Sequence, residues 1–261
     1  MKFETIEIKN NNEVTTIFLN RPKVHNAMNE QLMKELVQCF NQLIKDDKTR
    51  IIILTGNGKS FCAGADLNWM KSMVNYSLEE NIQDSNLLLE LYDTIYHCPK
   101  PVIAKINGHA FGGGLGLFAA CDLAFAVPTC KFAFSEVKLG IIPSVISTFI
   151  ARRITSIAQM RRYFITGERF TSQIAKELGL IDFIETEEKI DDMIQKYISI
   201  LRSSGPNAIY EVKKLVDSYE KLTLEPYKKH TVEKISELRI SKEGQEGINA
   251  FLEKRKSKWS E

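Results

Sequence analysis

This chain is short of the features that would assign it quickly. No apolar run approaches the ~20 residues that a membrane-spanning helix needs. Charge of one sign is missing too: 35 Lys and Arg stand against 33 Asp and Glu, a net charge of +2. There is no dense basic stripe, so nucleic-acid binding is not expected as a main role. The four histidines, His25, His97, His109 and His230, have no metal-ligand spacing. The five cysteines, Cys39, Cys62, Cys98, Cys121 and Cys130, are odd in number, lack paired spacing and lie mostly in apolar runs. That pattern points to reduced thiols and a cytosolic setting, with no bound metal expected. Met1–Asn12 is polar and charged and does not read as a secretory signal. No repeat or low-complexity tract stands out.

What is present reads as one α/β region followed by helices. The chain has 261 residues, 44% hydrophobic and 26% charged, close to a globular average. Thr5–Lys9 and Val14–Leu19 read as strands of a hairpin around Asn10-Asn11-Asn12. Asn29 is placed to cap a helix with apolar positions Leu32, Leu36, Phe40 and Leu43. Ile51–Leu54, Val102–Ile106 and Leu123–Val127 are buried-type strands, with a helix predicted over Leu87–His97. From about Ile190 strand signals stop. Ser203-Ser204-Gly205-Pro206 separates two helices, and Glu225–Ile240 forms another.

Two glycine-rich loops follow strand-like runs. One is Phe61-Cys62-Ala63-Gly64-Ala65-Asp66-Leu67; the other is Asn107–Gly116, with the triplet Gly112-Gly113-Gly114. Neither fits a nucleotide fingerprint. A P-loop ending at Gly58-Lys59-Ser60 would need a glycine where Ile53 stands, and a dinucleotide motif in the second loop would need one at Leu117. Each loop is open to two readings. It is a tight turn with close packing, or it presents backbone N–H groups to an oxygen that gains negative charge. In the second reading the apolar run Leu115–Cys121 is a buried helix with unpaired N–H groups at its start. Asp66 would cap a helix beginning near Leu67. A third segment, Lys131–Pro143, sets one carboxylate, Glu136, in a mainly apolar stretch. It is either a proton carrier whose pKa is raised by burial or the partner of Lys138 at the surface.

Together these residues resemble the crotonase superfamily, the enoyl-CoA hydratases and isomerases. The resemblance runs from Leu19–Met28 through Phe61–Leu67, Asn107–Gly114 and Phe134–Pro143 to Ala250–Lys256. It implies an α/β spiral of repeated ββα units over 1–195 and a helical region over 196–261 that builds trimers or dimers of trimers. It implies an acyl-CoA thioester as substrate, with no cofactor besides. By resemblance, Ala63 and Gly113 supply the oxyanion-hole N–H groups and Glu136 is the catalytic glutamate. Lys23, Val24, Asn26 and Ala27 hold CoA together with Ala63, Gly64, Ala65, Asp66, Leu67 and the Gly112-Gly113 pair. Phe251 and Lys254 reach CoA, often from a neighbouring subunit. The basic stretch Lys254–Lys258 suits a 3′-phosphate, and equally a solvated tail.

One departure narrows the reading. Hydratases with two glutamates carry the second one where this chain has Gly116. Glu136 then works alone, or a hydroxyl from Ser144 or Ser147 helps hold the water. Ala63–Met70, Phe111–Leu117 and Ser135–Ser147 look like bacterial methylglutaconyl-CoA hydratases of leucine breakdown, which have a branch for longer isoprenoid substrates. Trp69, Met70, Met73, His109, Gly116 and Ser144 are candidates for the acyl pocket. Lys71, Arg152 and His109 are candidate partners for a second substrate carboxylate. Two alternatives stand beside hydration: an isomerase using the single glutamate, and a non-catalytic CoA- or RNA-binding protein, since some relatives bind RNA.

Overall fold

In the computed structural model, which describes residues 3–260, the chain opens on the expected hairpin. β1 (Ile6–Asn11) and β2 (Val14–Leu19) pair antiparallel, from Ile6 opposite Leu19 to Asn11 opposite Val14. Asn12 turns the chain at φ 53°, a left-handed conformation that asparagine tolerates. α1 (Glu30–Lys45) starts at Asn29, whose side chain accepts the Leu32 N–H at 3.0 Å. Leu32, Leu36, Phe40 and Leu43 are all buried, as their spacing predicts. Glu35 shares that face and accepts the N–H groups of Glu4 and Thr5, which ties down the strand entry.

Three ββα turns follow. The first is β3 (Ile51–Gly56), β4 (Ser60–Cys62), α2 (Leu67–Met73) and α3 (Leu78–Tyr96). The second is β5 (Val102–Ile106), β6 (His109–Phe111) and α4 (Gly113–Ala119). The third is β7 (Leu123–Ala126), β8 (Lys131–Ala133), α5 (Ser144–Ile150) and α6 (Ile157–Thr166). Then come β9 (Phe170–Thr171), α7 (Ser172–Glu177), β10 (Phe183–Ile184) and α8 (Ile190–Arg202). α3 begins at Leu78 rather than Leu87. Ser77 and Glu80 close a capping box there, and the first half of the helix is largely exposed, so it carries no apolar period.

Each turn gives one strand to each of two sheets. The larger has the order β1-β2-β3-β5-β7-β10, the smaller β4-β6-β8-β9. In the smaller sheet β4, β6 and β8 are adjacent and parallel, with Cys62 opposite Ala110 and Phe111 opposite Ala133. Parallel neighbours end at the same edge, and in open α/β sheets ligand sites gather outside those carboxyl ends. The three segments singled out in the sequence, Ala63–Asp66, Gly112–Gly114 and Ser135–Leu139, follow directly on these three strands.

The chain divides into two compact units. One holds the residues up to Cys98 and Val102–Ile194. The other holds Pro99–Pro101 and the residues from Gln195 on, with α9 (Pro206–Lys221), α10 (Leu224–Ile240) and α11 (Lys242–Leu252). Within the second, Glu243 accepts the Asn207 and Ala208 N–H groups and caps α9. Val216, Tyr219, Ile240 and Phe251 are exposed there. Among the described residues no helix is long and apolar enough to cross a membrane.

Candidate active site

The loop after β4 is framed by backbone hydrogen bonds. Met28 N–H donates to Gly64 C=O at 2.7 Å, and Asp66 N–H donates to Met28 C=O at 2.8 Å. This is a parallel bridge between Met28 and Ala65. In such a bridge the partner bonds come from the residues on either side, so the N–H of Ala65 points away from Met28. Ala65 is exposed, and its N–H has no acceptor among the described residues. Ala63 is different. Its N–H donates to His25 C=O at 3.0 Å. The donor expected at Ala63 is therefore already engaged, and the open N–H in this loop is that of Ala65. Gly64 sits at φ 92°, where a Cβ would lie 2.9 Å from Phe111 O. Only glycine lets the two loops come this close.

The loop after β6 presents its donor by another route. Gly112, at φ 49°, gives its own N–H to Ala133 C=O at 3.0 Å. Gly113 opens α4, and helix-start N–H groups have no partner within the helix. Its N–H has no acceptor among the described residues. Gly114 packs so tightly that a Cβ would lie 2.5 Å from Cys62 O. The Cys62 thiol is pushed by burial up to about 12, so it stays a neutral packing group.

Glu136 stands beside these loops, in the 3-10 turn after β8. Its Oε1 lies 3.4 Å from where a Cβ on Gly112 would sit. Its Oε2 is buried with no hydrogen-bond partner. Burial raises its carboxyl above the ordinary range. No Glu136–Lys138 ion pair forms among the described residues. A half-buried carboxyl group with an unsatisfied oxygen is suited to binding water or a substrate proton.

Other expected positions are arranged differently. Asn26 is fully buried: its Oδ1 accepts the Arg21 N–H at 2.9 Å, and its amide donates to Asn57 O and Ser60 O at 2.9 and 2.8 Å. Its side chain is a brace for the Arg21–Met28 segment, not a ligand contact. Asp66 is buried as well. Its carboxylate caps α2 through the Asn68 and Trp69 N–H groups and pairs with Arg21 at 2.9 Å. Lys23 and Val24 are exposed and Ala27 is buried in the same segment, while Leu67 is exposed at the start of α2. Met70 and Met73 are half-buried on α2, and the Trp69 indole donates to Asp84 at 2.9 Å.

His109 is exposed, and its Nδ1 accepts the Lys131 N–H at 3.1 Å, which holds the ring to β8. Ser147 gives its hydroxyl to Ser144 C=O at 2.6 Å, and Ser144 is exposed at the start of α5. Lys71 is exposed on α2, and Arg152 lies over the Tyr96 ring at 4.5 Å. Phe251 is 83% exposed near the end of α11, and Lys254 follows that helix at φ 55°. Both belong to the second unit.

The residue that the sequence did not single out is Tyr92. It lies on the buried face of α3 with Leu91 and Ile95, so it reads as ordinary core. Its hydroxyl donates to Gly113 C=O at 2.7 Å. Its ring fills the space at Gly116, where a Cβ would lie 2.5 Å from Tyr92 Cζ and 2.8 Å from Ile146 Cγ2.

Comparison with known proteins follows the same lines. A family model described as enoyl-CoA hydratase/isomerase matches residues 9–261. The crystal structure of an enoyl-CoA hydratase from Shewanella pealeana superposes with a TM-score of 0.95 at 38% identity, covering 99% of this chain and 97% of that one. The mitochondrial enoyl-CoA hydratase of Pongo abelii is 34% identical over 252 residues, 96% of this chain and 85% of that protein. An enoyl-CoA isomerase/hydratase of Mycosarcoma maydis is 33% identical over 256 residues, 94% and 92% of the two chains.

Proposed function

The chain belongs to the enoyl-CoA hydratase/isomerase family, and from that premise we propose that it hydrates a branched, α,β-unsaturated acyl-CoA with Glu136 as its one acid–base group. The observation that carries the reading is the meeting of two open N–H groups with one half-buried carboxyl group at the edge of three parallel strands. The thioester oxygen accepts hydrogen bonds from Ala65 and Gly113. Charge moves onto that oxygen, and C3 becomes electrophilic. Glu136 takes a proton from water as the hydroxyl bonds to C3, and the same carboxyl group gives that proton to C2 as the enolate collapses. Water adds in full, and no redox step is needed. The substrate class is 3-methylglutaconyl-CoA or a related branched glutaconyl-CoA. CoA runs along Lys23–Ala27 and Leu67, with Phe251 and Lys254 contributed within a homotrimer or a dimer of trimers.

One observation favours a second reading. The space of a second carboxylate at position 116 is filled by Tyr92 and Ile146. A single carboxylate can carry a proton between two carbons, so double-bond isomerisation fits the same site. Incubation with 3-methylglutaconyl-CoA and with crotonyl-CoA in ¹⁸O-water, and in parallel in deuterium oxide, separates the two. Label in the methylglutaconyl product supports the branched hydratase. Label from crotonyl-CoA alone makes the protein a short-chain hydratase. No label, with deuterium exchanged into the acyl chain, turns the assignment to isomerisation.

A further inference from the structure

We infer that Tyr92 is a positioning residue for the oxyanion donor at Gly113, and that Gly116 is a glycine in order to admit its ring. The proposal rests on the oxyanion reading above and names a residue that sets its geometry. Gly112-Gly113-Gly114 has no side chain to fix its peptide planes, and glycine leaves the backbone free to turn. The peptide that carries the Gly113 N–H is held at its own carbonyl by the helix start, where Gly112 C=O accepts the Leu115 N–H at 2.9 Å. The next peptide, which carries Gly113 C=O and sets the other side of the residue, is held from outside. Met28 Cε and the Tyr92 hydroxyl both crowd the face of Gly113 where a Cβ would stand, at 2.4 and 3.0 Å from that point. The Tyr92 hydroxyl also donates to Gly113 C=O at 2.7 Å. That bond fixes the residue through its carbonyl while leaving its N–H open.

The phenol is placed to do this at every physiological pH. It is fully buried, and its ring packs edge-on against Phe149 at 5.5 Å. Burial first, then the nearby Cys62 and Glu136, push its pKa well above the ordinary tyrosine value. It stays protonated and donates. The ring reaches Gly113 across Gly116, and any side chain there would strike it. Tyr92 and Gly116 thus form one steric unit. A glutamate placed at 116 would displace the phenol instead of adding a second carboxylate.

The test compares Tyr92→Phe, Gly116→Ala and the double variant with the wild type. The probe is [1-¹³C]butyryl-CoA, which has no double bond to hydrate. Its thioester carbonyl stretch, read by infrared difference spectroscopy, reports the hydrogen bonds in the oxyanion hole. Tyr92→Phe is expected to lower kcat about tenfold on the branched substrate with KM within twofold, and to shrink the red shift of the bound carbonyl. Gly116→Ala should do the same by moving the ring. The double variant should fall little further than either single one, because both act on one bond. A Tyr92→Phe enzyme with unchanged kcat and an unchanged carbonyl shift overturns the role of Tyr92. Additive losses in the double variant overturn the coupling to Gly116. If Tyr92→Phe does not fold, an unchanged carbonyl shift in Gly116→Ala overturns the proposal by itself. A wild type that binds the probe with no red shift defeats the oxyanion reading instead, so the two failures stay apart.

Discussion

The two glycine loops reach the same end by different means. In the first, the N–H of Ala65 is aimed by backbone pairing alone, since Met28 brackets it through Gly64 and Asp66. In the second, the N–H of Gly113 is aimed by the start of a helix and by a side chain, Tyr92. The frame of the first loop is the Arg21–Met28 segment, whose outer residues are exposed and whose brace is Asn26. The frame of the second is made of buried residues: Cys62, Met28 and Tyr92. The difference teaches that one donor depends on a surface segment staying folded, while the other is built into the core. Asn26 and Tyr92 are counterparts, each fully buried: Asn26 ties Arg21 to Asn57 and Ser60, just ahead of the first loop, and Tyr92 holds Gly113 in the second.

The largest expected effect tests what both loops share. Glu136→Gln leaves both N–H donors in place, so CoA binding should persist while hydration falls by about 10²–10⁴. Near-wild-type turnover would remove Glu136 from the mechanism. The same variant carries a stability signature. The raised pKa means the folded state holds this proton more tightly than the unfolded chain does. Wild-type stability from this group therefore falls as pH rises from the unfolded to the folded pKa. Glu136→Gln should unfold at a higher temperature than wild type at neutral pH, with the gain vanishing in acid. Thermal melts across pH read this directly.

Next comes a substitution that should break the first loop. Alanine at Gly64 would be strained at φ 92° and would press on Phe111 O. Losing one oxyanion donor typically costs about 10²–10³ in rate, and Gly64→Ala should fall in that range, mostly in kcat. A variant with full activity would show that the close approach of the loops is not needed to aim Ala65.

The same contrast explains what could be read from the sequence. Helix α1, strands β2 and β5, and the break at Ser203–Pro206 followed from spacing and turn residues, because each depends on local chain chemistry. Glu136 was legible as a carboxylate set among apolar neighbours. The two-residue strands β9 and β10 were not legible, since Phe170–Thr171 and Phe183–Ile184 become strands only by pairing with β8 and β7. The first loop reads as presenting Ala63 for a similar reason. Which N–H of Ala63-Gly64-Ala65 stays open depends on the register against Met28, a residue distant in the chain, and no local signal encodes it. Tyr92 was hidden because a tyrosine at a core position of a helix looks the same whether or not its hydroxyl has a backbone to hold.

A smaller effect sharpens the role of the surface segment. Asn26→Ala orphans the Arg21 N–H and the Asn57 and Ser60 carbonyls. A buried group left unpaired costs roughly 1–3 kcal/mol, so urea unfolding should show a loss in that range. If Asn26 braces the first loop, the carbonyl stretch of bound [1-¹³C]butyryl-CoA should also shift less than in wild type. A stability loss with an unchanged carbonyl shift would mean the segment folds around Ala65 without aiming it.

The smallest effect belongs to Asp66, at the far end of the same loop. Asp66→Ala removes an N-cap from α2, typically worth about 1 kcal/mol. It also removes the partner of Arg21, and both losses fall on the frame instead of the chemistry. Urea unfolding should show the loss with kcat nearly unchanged. The pH dependence separates this carboxylate from Glu136. Burial works to raise the Asp66 pKa, but the Asn68 N–H, the Arg21 guanidinium and the Trp69 N–H outweigh it and hold the value below the ordinary aspartate range. A lowered folded pKa gives stability that is present above the unfolded value, about 3.9, and is lost as pH falls through the folded one. The difference between wild type and Asp66→Ala should therefore shrink in acid, where wild type loses stability. Glu136→Gln also converges on wild type in acid, but from the opposite side, because there wild type gains. Two carboxylates at one edge of one sheet, with opposite slopes, would show which was placed to hold the loop and which to carry a proton.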